Sequence, residues 1–454
     1  MASFQELLAC PRCGAAPLLL AEQEYACKSC KNAFPLLSGI PCLFPEPSFS
    51  LSEWRERLHR VVVQFEHDAK TIQQELKQPK LLPATKLRLQ HMSDSYLDQI
   101  KRLYTILSPL GLSQQEASFE TAMALRTQLP QNQGLTSYYA NMHRDWSWGD
   151  EENALSLEQI RQASGEHGLG STLVLGAGAC RLAYDVHQSL KPDISIALDI
   201  NPLLLLSAQQ ITNGQQVGLY EFPIAPKSIK DNALLRHLKA PKKVSDNFYY
   251  VLADALHPPF VKESFDTIIT PWLLDILPED FRTFASRVNR LLKPGGKWIN
   301  FGSLSFANES LSTCYSLEEV SGICEQSGFA EFTSHELVMP YMQSPASRHG
   351  RIEQVITFST IKRKSSARPK RYEALPEWIA KANSPVPNLQ SFQVQTMSTR
   401  IHAFIMSLID GKRSIKDMAI ILEQQRLMPR HEAEPAIQSF LTKMYEDKLR
   451  NPSF

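Results

Sequence analysis

The chain reads as an α/β protein: a doubly wound, largely parallel sheet, preceded by a small metal ribbon and a helical layer and followed by a small helical domain. Three observations carry this reading. Two Cys-X-X-Cys pairs, Cys10-Pro-Arg-Cys13 and Cys27-Lys-Ser-Cys30, stand thirteen residues apart. A short apolar run, Thr172-Leu-Val-Leu175, leads into Gly176-Ala-Gly178. From there to about residue 362, strand-like and helix-like segments alternate, as they do in a doubly wound sheet.

The ribbon comes first, over residues 1–47. Two such Cys pairs set four thiolates around one Zn²⁺, each pair carried by a short hairpin, and four sulfur ligands leave no position open for water. The zinc is therefore expected to be structural, with a disulfide pair or plain buried thiols as the alternative. Residues 48–150 form a helical cap region. Trp54, Leu58, Val61, Phe65, Ile72 and Leu76 recur at helical spacing, then Leu87, Met92, Tyr96, Ile100, Leu103 and Leu107 after Pro83. Ser113-Gln-Gln-Glu116 has the capping-box pattern for a third helix. The sheet domain spans 151–363, with strands expected at Thr172–Leu175, Ile194–Leu198, Phe248–Leu252, Phe265–Thr270, Gly296–Phe301 and Gln354–Ile361. A basic and then proline-rich stretch, 364–391, reads as a linker, and 392–454 as a small helical domain.

Composition limits the partners. With 48 basic and 47 acidic residues, no global field draws the chain to nucleic acid or to an anionic membrane. The four cysteines outside the two pairs, Cys42, Cys180, Cys314 and Cys324, are scattered, which suits a reducing compartment, and the start lacks a basic, apolar leader, so a cytoplasmic protein is expected.

The glycine turn is where chemistry is sought. Glycines at 176 and 178 allow close backbone approach by a nucleoside ligand, and Asp199, ending the next strand, would accept hydrogen bonds from ribose hydroxyls. This much suits NAD or S-adenosylmethionine. Asp254-Ala255 after the third strand, placed to meet an adenine amine, and Leu291-Leu-Lys-Pro-Gly-Gly296 as a turn entering the fifth strand tip the balance. That order is typical of a Rossmann-like class I methyltransferase.

Arg144-Asp-Trp-Ser147, GAGACRLA at 176–183, PWLLD at 271–275 and LLKPGGKWINFGSL at 291–304 resemble the carnosine N-methyltransferase family. The ribbon is similar to small Trm112-like zinc domains, and the last sixty residues resemble small PqqD-like winged-helix domains. The family resemblance implies an S-adenosylmethionine-dependent methyl transfer to an imidazole nitrogen of a small molecule or peptide. It implies that Arg144 reaches the cofactor's carboxylate end and that Pro271 lines the cofactor pocket, beside Gly176, Gly178, Asp199, Asp254 and Ala255. It gives Asp275 the role of holding the substrate ring and Tyr341 that of helping to hold substrate. The family's tyrosine-histidine pair is matched here by Ser305-Phe306-Ala307, which leaves carnosine itself open as substrate. Two further readings stand beside this one: an rRNA base methyltransferase using the ribbon on RNA, and an inactive cofactor-binding or scaffold protein.

Overall fold

The computed structural model describes residues 3–112, 135–166, 168–306, 311–366 and 385–450. The chain divides into two compact units, Met1–Ala374 and Leu375–Phe454. The capping pattern at Ser113–Glu116, Ala307 and most of the expected linker lie outside the described residues.

The ribbon is a four-stranded antiparallel sheet, β1 (Leu19–Leu20), β2 (Glu24–Ala26), β3 (Ala33–Leu37) and β4 (Ile40–Pro41), paired in that order. Two long helices follow, α1 (Pro47–Glu75) and α2 (Pro83–Leu107), each opening with a proline, whose missing N–H costs nothing in a first turn. Leu51, Trp54, Leu58, Val62, Ala69 and Ile72 form the buried stripe of α1. On α2 the expected stripe is partly displaced. Leu87 is 65% exposed, and the buried side runs through Leu89, Ile100, Leu103, Ile106 and Leu107.

The main sheet has seven strands in the order β12-β13-β11-β10-β5-β6-β9. Five neighbouring strands centre on β5 (Ser171–Leu175), flanked by β6 (Ile194–Asp199) and β9 (Phe248–Leu252) on one side, and by β10 (Phe265–Pro271) and β11 (Leu292–Gly302) on the other. These five are parallel, and β13 (Arg351–Lys362) inserts antiparallel between β11 and β12 (Phe329–Tyr341). Alternate residues feed two cores, Leu173 and Leu175 to one and Val174 to the other. The chain turns one way from β5 to β6 and the other way from β10 to β11. The strand order therefore reverses between β5 and β10, which is where open sheets of this kind leave a crevice.

Three differences from expectation matter. The Lys-Pro-Gly-Gly turn lies within β11: Leu292 pairs with Phe265 and Lys297 with Thr267, so residues 293–296 bulge from the ladder. β12 and the hairpin of β7 (Val217–Glu221) with β8 (Leu234–Leu238) have no counterpart in the sequence reading. β12 is largely exposed, so no apolar alternation announces it.

The ribbon completes the sheet. The Leu43 amide donates to the Leu252 carbonyl at 2.8 Å, Cys42 bridges Leu252 in parallel, and Phe4 stacks on Tyr249 at 4.4 Å. Without it β9 would be an open edge. Among its described residues the second unit holds three helices, Gln390–Ser407, Ile415–Gln424 and Arg430–Arg450, around Ile405, Leu408, Met418, Leu422 and Ile437. No strand occurs among its described residues, so the winged-helix part of that resemblance finds no wing there. Among the described residues, no helix is long and apolar enough to cross a membrane.

Candidate functional site

A cavity of about 720 Å³ opens at the carboxyl ends of β5, β6, β9 and β10. Its first half is built from backbone. Gly176 (φ +71°) and Gly178 (φ +56°) turn the chain out of β5, and a Cβ on Gly178 would meet nothing within 4 Å. The Gly178 amide donates to Asp199 Oδ2 at 2.7 Å and the Asn201 amide to Oδ1 at 2.8 Å. Asp199 thus fixes the glycine turn while lining the cavity, and each of its oxygens retains a second lone pair for a ligand. Burial pushes its carboxyl up to about 6, although the amides of Asn201, Gly178 and Ile200 pull the other way.

Across the turn, Asp254 accepts the Leu256 amide at 2.8 Å and meets His257 Nδ1 at 3.1 Å, with Ala255 beside it on the cavity wall. Cys180, which stands where a third glycine is usual, takes the left-handed conformation expected of one (φ +63°) and is fully buried at the start of helix Arg181–Leu190.

A single π-helical turn, Arg144–Trp148, delivers the next two groups. Such turns recur at functional sites because the extra residue re-aims side chains. Arg144 lines the cavity with its guanidinium on Asp145 Oδ1, at 2.9 Å from Nε and 2.6 Å from Nη2, and 5.2 Å from the Tyr341 ring. Burial opposes its charge, but Asp145 and Tyr341 outweigh that and hold it protonated. Trp146 is buried and donates to the Ala179 carbonyl at 2.8 Å. Arg181 bonds Asp185 and the Asp145 carbonyl. These two brace the turn and do not line the cavity.

The second half of the cavity is made of side chains. Pro271 ends β10 and Trp272 follows it, with the Trp272 amide donating to the Phe301 carbonyl at 2.7 Å. Asp275 follows in a turn. It does not cap a helix: the next one, Phe281–Leu291, is capped by Asp280, whose side chain accepts the Arg282 amide. Asp275 Oδ1 is instead buried with no hydrogen-bond partner. Burial holds its carboxyl above the ordinary value, eased by a backbone amide and by Ser303, and Glu353 adds to the rise. Tyr341, at the end of β12, packs against Trp272 with ring centres 4.5 Å apart and planes tilted by 39°. It is held there by Glu152, whose carboxylate accepts the amides of Met342 and Gln343 at 3.1 Å each.

The cavity therefore gathers all nine residues singled out from the sequence beyond the ribbon: Arg144, Gly176, Gly178, Asp199, Asp254, Ala255, Pro271, Asp275 and Tyr341. It also takes in Trp54, Ser303, Arg351 and Glu353, which sequence reasoning passed over. Trp54 had looked like one more member of a packing stripe. Arg351 and Glu353 follow a strand that was not recognised, so nothing tied them to Tyr341.

In the ribbon, the sulfurs of Cys10, Cys13, Cys27 and Cys30 all lie within 4.8 Å of one another, with Cys10 to Cys30 and Cys13 to Cys27 at 3.6 Å. A ZnS₄ tetrahedron with arms of about 2.3 Å has edges of roughly 3.8 Å, so this donor set fits the metal. Sulfurs 3.6 Å apart stand well beyond the roughly 2.05 Å of a disulfide bond.

No curated protein matches the chain. Among solved structures, the N-methyltransferase NodS of Bradyrhizobium japonicum, in complex with S-adenosyl-L-homocysteine, aligns at 14% identity over 50% of this chain and 99% of its own, with a TM-score of 0.33. The YcgJ protein of Bacillus subtilis aligns at 15% identity over 46% and 99%, TM-score 0.33. A phosphoethanolamine N-methyltransferase of Haemonchus contortus aligns at 15% over 50% and 57%, TM-score 0.33. Identities and TM-scores this low carry no argument about this chain. The sequence model of the carnosine N-methyltransferase family matches residues 126–364, more than half of the chain, and the protein belongs to that family.

Proposed function

We propose that this methyltransferase uses S-adenosylmethionine to methylate an imidazole nitrogen of a small molecule. The observation that carries the reading is Asp275 Oδ1, a buried acceptor in a residue that lines the cavity, left without a donor among the described residues. Such an atom costs about 1–3 kcal/mol unless a ligand satisfies it.

Bound S-adenosylmethionine would supply an electrophilic methyl carbon on a sulfonium that departs as a neutral thioether. Gly176 and Gly178 give its nucleoside a close backbone approach, Asp199 and Asp254 offer acceptors to its ribose and adenine, and Arg144 a cation to its carboxylate. Asp275 does the chemical work on the other side. By accepting one ring N–H it fixes the tautomer and leaves the other nitrogen's lone pair aimed at the methyl carbon. As the N–C bond forms the ring becomes cationic, and the N–H proton passes to Asp275 Oδ1. Its raised affinity for a proton makes it the stronger base for this step. Tyr341 and Trp272 provide aromatic faces that hold the ring and exclude water. The four ribbon thiolates would hold a structural zinc, and metal-bound thiolates suit a cytoplasmic protein.

The test is transfer of labelled methyl to a panel of small imidazoles and to ribosomal RNA. Asp275→Asn should lower kcat by about 10²- to 10⁴-fold and leave cofactor affinity within twofold. Label in ribosomal RNA with none in imidazoles would overturn the reading.

A further inference from the structure

Two charged side chains of the cavity, Arg351 and Glu353, touch neither the cofactor nor the reacting ring in the scheme above. β13 begins at Arg351, which pairs in register with Tyr341 of β12. Residues two apart on a strand share a face, and Arg351 and Glu353 both line the cavity. The Arg351 guanidinium lies 4.8 Å from the centre of the Tyr341 ring. A guanidinium stacked on a ring has its orientation set while its in-plane N–H groups remain for other partners. Its ion-pair partner among the described residues is loosely held: Nε stands 3.4 Å from Glu353 Oε1, beyond the usual 2.7–2.9 Å of a charge-assisted hydrogen bond. The Arg351 side chain is 55% exposed, and pairs this exposed contribute roughly 0–1 kcal/mol, so exchanging one partner for another costs little. The other guanidinium of the cavity, Arg144, is engaged twice by Asp145.

We propose that Arg351 and Glu353 clamp the carboxylate and ammonium of a free α-amino acid, an inference that rests on reading the cavity as a methyl-transfer site. Two opposite protein charges side by side match two opposite ligand charges carried on one carbon. The ligand carboxylate forks onto Arg351 and its ammonium onto Glu353, each protein charge exchanging a loose neighbour for a ligand charge. A dipeptide carries its ammonium and carboxylate at opposite ends and meets only half of the clamp. A decarboxylated or deaminated analogue does the same. With an imidazole held by Asp275, the simplest substrate of this class is L-histidine.

The experiment uses the full chain, labelled S-adenosylmethionine and four probes: L-histidine, histamine, imidazolepropionate and β-alanyl-histidine. In the wild type, kcat/KM should be highest for L-histidine. In Arg351→Gln the ratio of L-histidine to histamine should fall about ten- to a hundredfold, the effect of losing one charged hydrogen-bonded contact. In Glu353→Gln the ratio of L-histidine to imidazolepropionate should fall by a similar factor. Proportional loss on every probe, leaving both ratios unchanged, would mean the pair only shapes the wall and would overturn the clamp. Preference of the wild type for β-alanyl-histidine would overturn it too. Calorimetry with the twenty amino acids, in the presence of S-adenosylhomocysteine, separates the two readings. Binding of some other amino acid, lost in both variants, keeps the clamp and sinks the imidazole. Binding of none sinks the clamp.

Discussion

Replacing Gly178 with alanine should separate folding from cofactor binding. Gly178 sits at φ +56°, and a Cβ there finds no atom within 4 Å, so the added methyl enters open cavity. The left-handed conformation costs an alanine about 1–2 kcal/mol, which in a unit of this size lowers the melting temperature by roughly 2–4 °C or less per kcal/mol. The larger penalty falls on whatever must lie against that backbone. Overpacking by one methyl costs about 1–3 kcal/mol, or roughly five- to 150-fold in affinity. Gly176→Ala is the contrast. Its Cβ would stand 2.9 Å from Cδ1 of Leu273, a side chain only 7% exposed, so both strain and collision fall on the folded protein itself. Melting without ligand, together with calorimetric titration of S-adenosylmethionine, reads both quantities for both variants. If Gly178→Ala melted several degrees lower yet bound the cofactor as the wild type does, no ligand would be approaching that backbone, and the cofactor site would have to lie elsewhere.

Further outcomes follow from the same geometry. Asp199 binds its proton more tightly folded than unfolded, with a folded value of about 6 against 3.8. Its contribution to stability is therefore full below the unfolded value and lost as pH rises through 6. Cofactor binding runs the opposite way because it uses the carboxylate: affinity should be flat above pH 7 and approach a tenfold loss per unit well below 6. A titration of affinity against pH checks this, and Asp199→Asn should be weak at every pH with that slope gone. Removal of metal by a strong chelator, verified by elemental analysis, should lower the melting temperature first and cofactor affinity with it, since the ribbon holds the strand that leads into Asp254. An unchanged melting curve after proven metal loss would refute that coupling.

Much of this architecture was legible because glycine and cysteine leave few options. The strand ending in Gly176-Ala-Gly178 was anticipated to within a residue, and the four paired cysteines come together as their spacing implied. The rest was hidden for identifiable reasons. β12 shows water most of its length, so it has no apolar rhythm to detect. The β7–β8 hairpin interrupts the strand-helix alternation where a crossover alone was expected. The π turn at Arg144–Trp148 depends on tertiary packing, with Trp146 anchored on Ala179, and leaves no local signature. Asp275 could be named from a family motif. That its Oδ1 lacks a partner is a fact of three-dimensional packing alone.

The union of ribbon and sheet at Leu252 bears on how the protein survives in a cell. A chain that failed to acquire metal would leave the raw border of β9 available to any neighbouring strand, including its own copies. Zinc supply would then govern how much protein escapes clumping during synthesis, well before it governs any reaction rate.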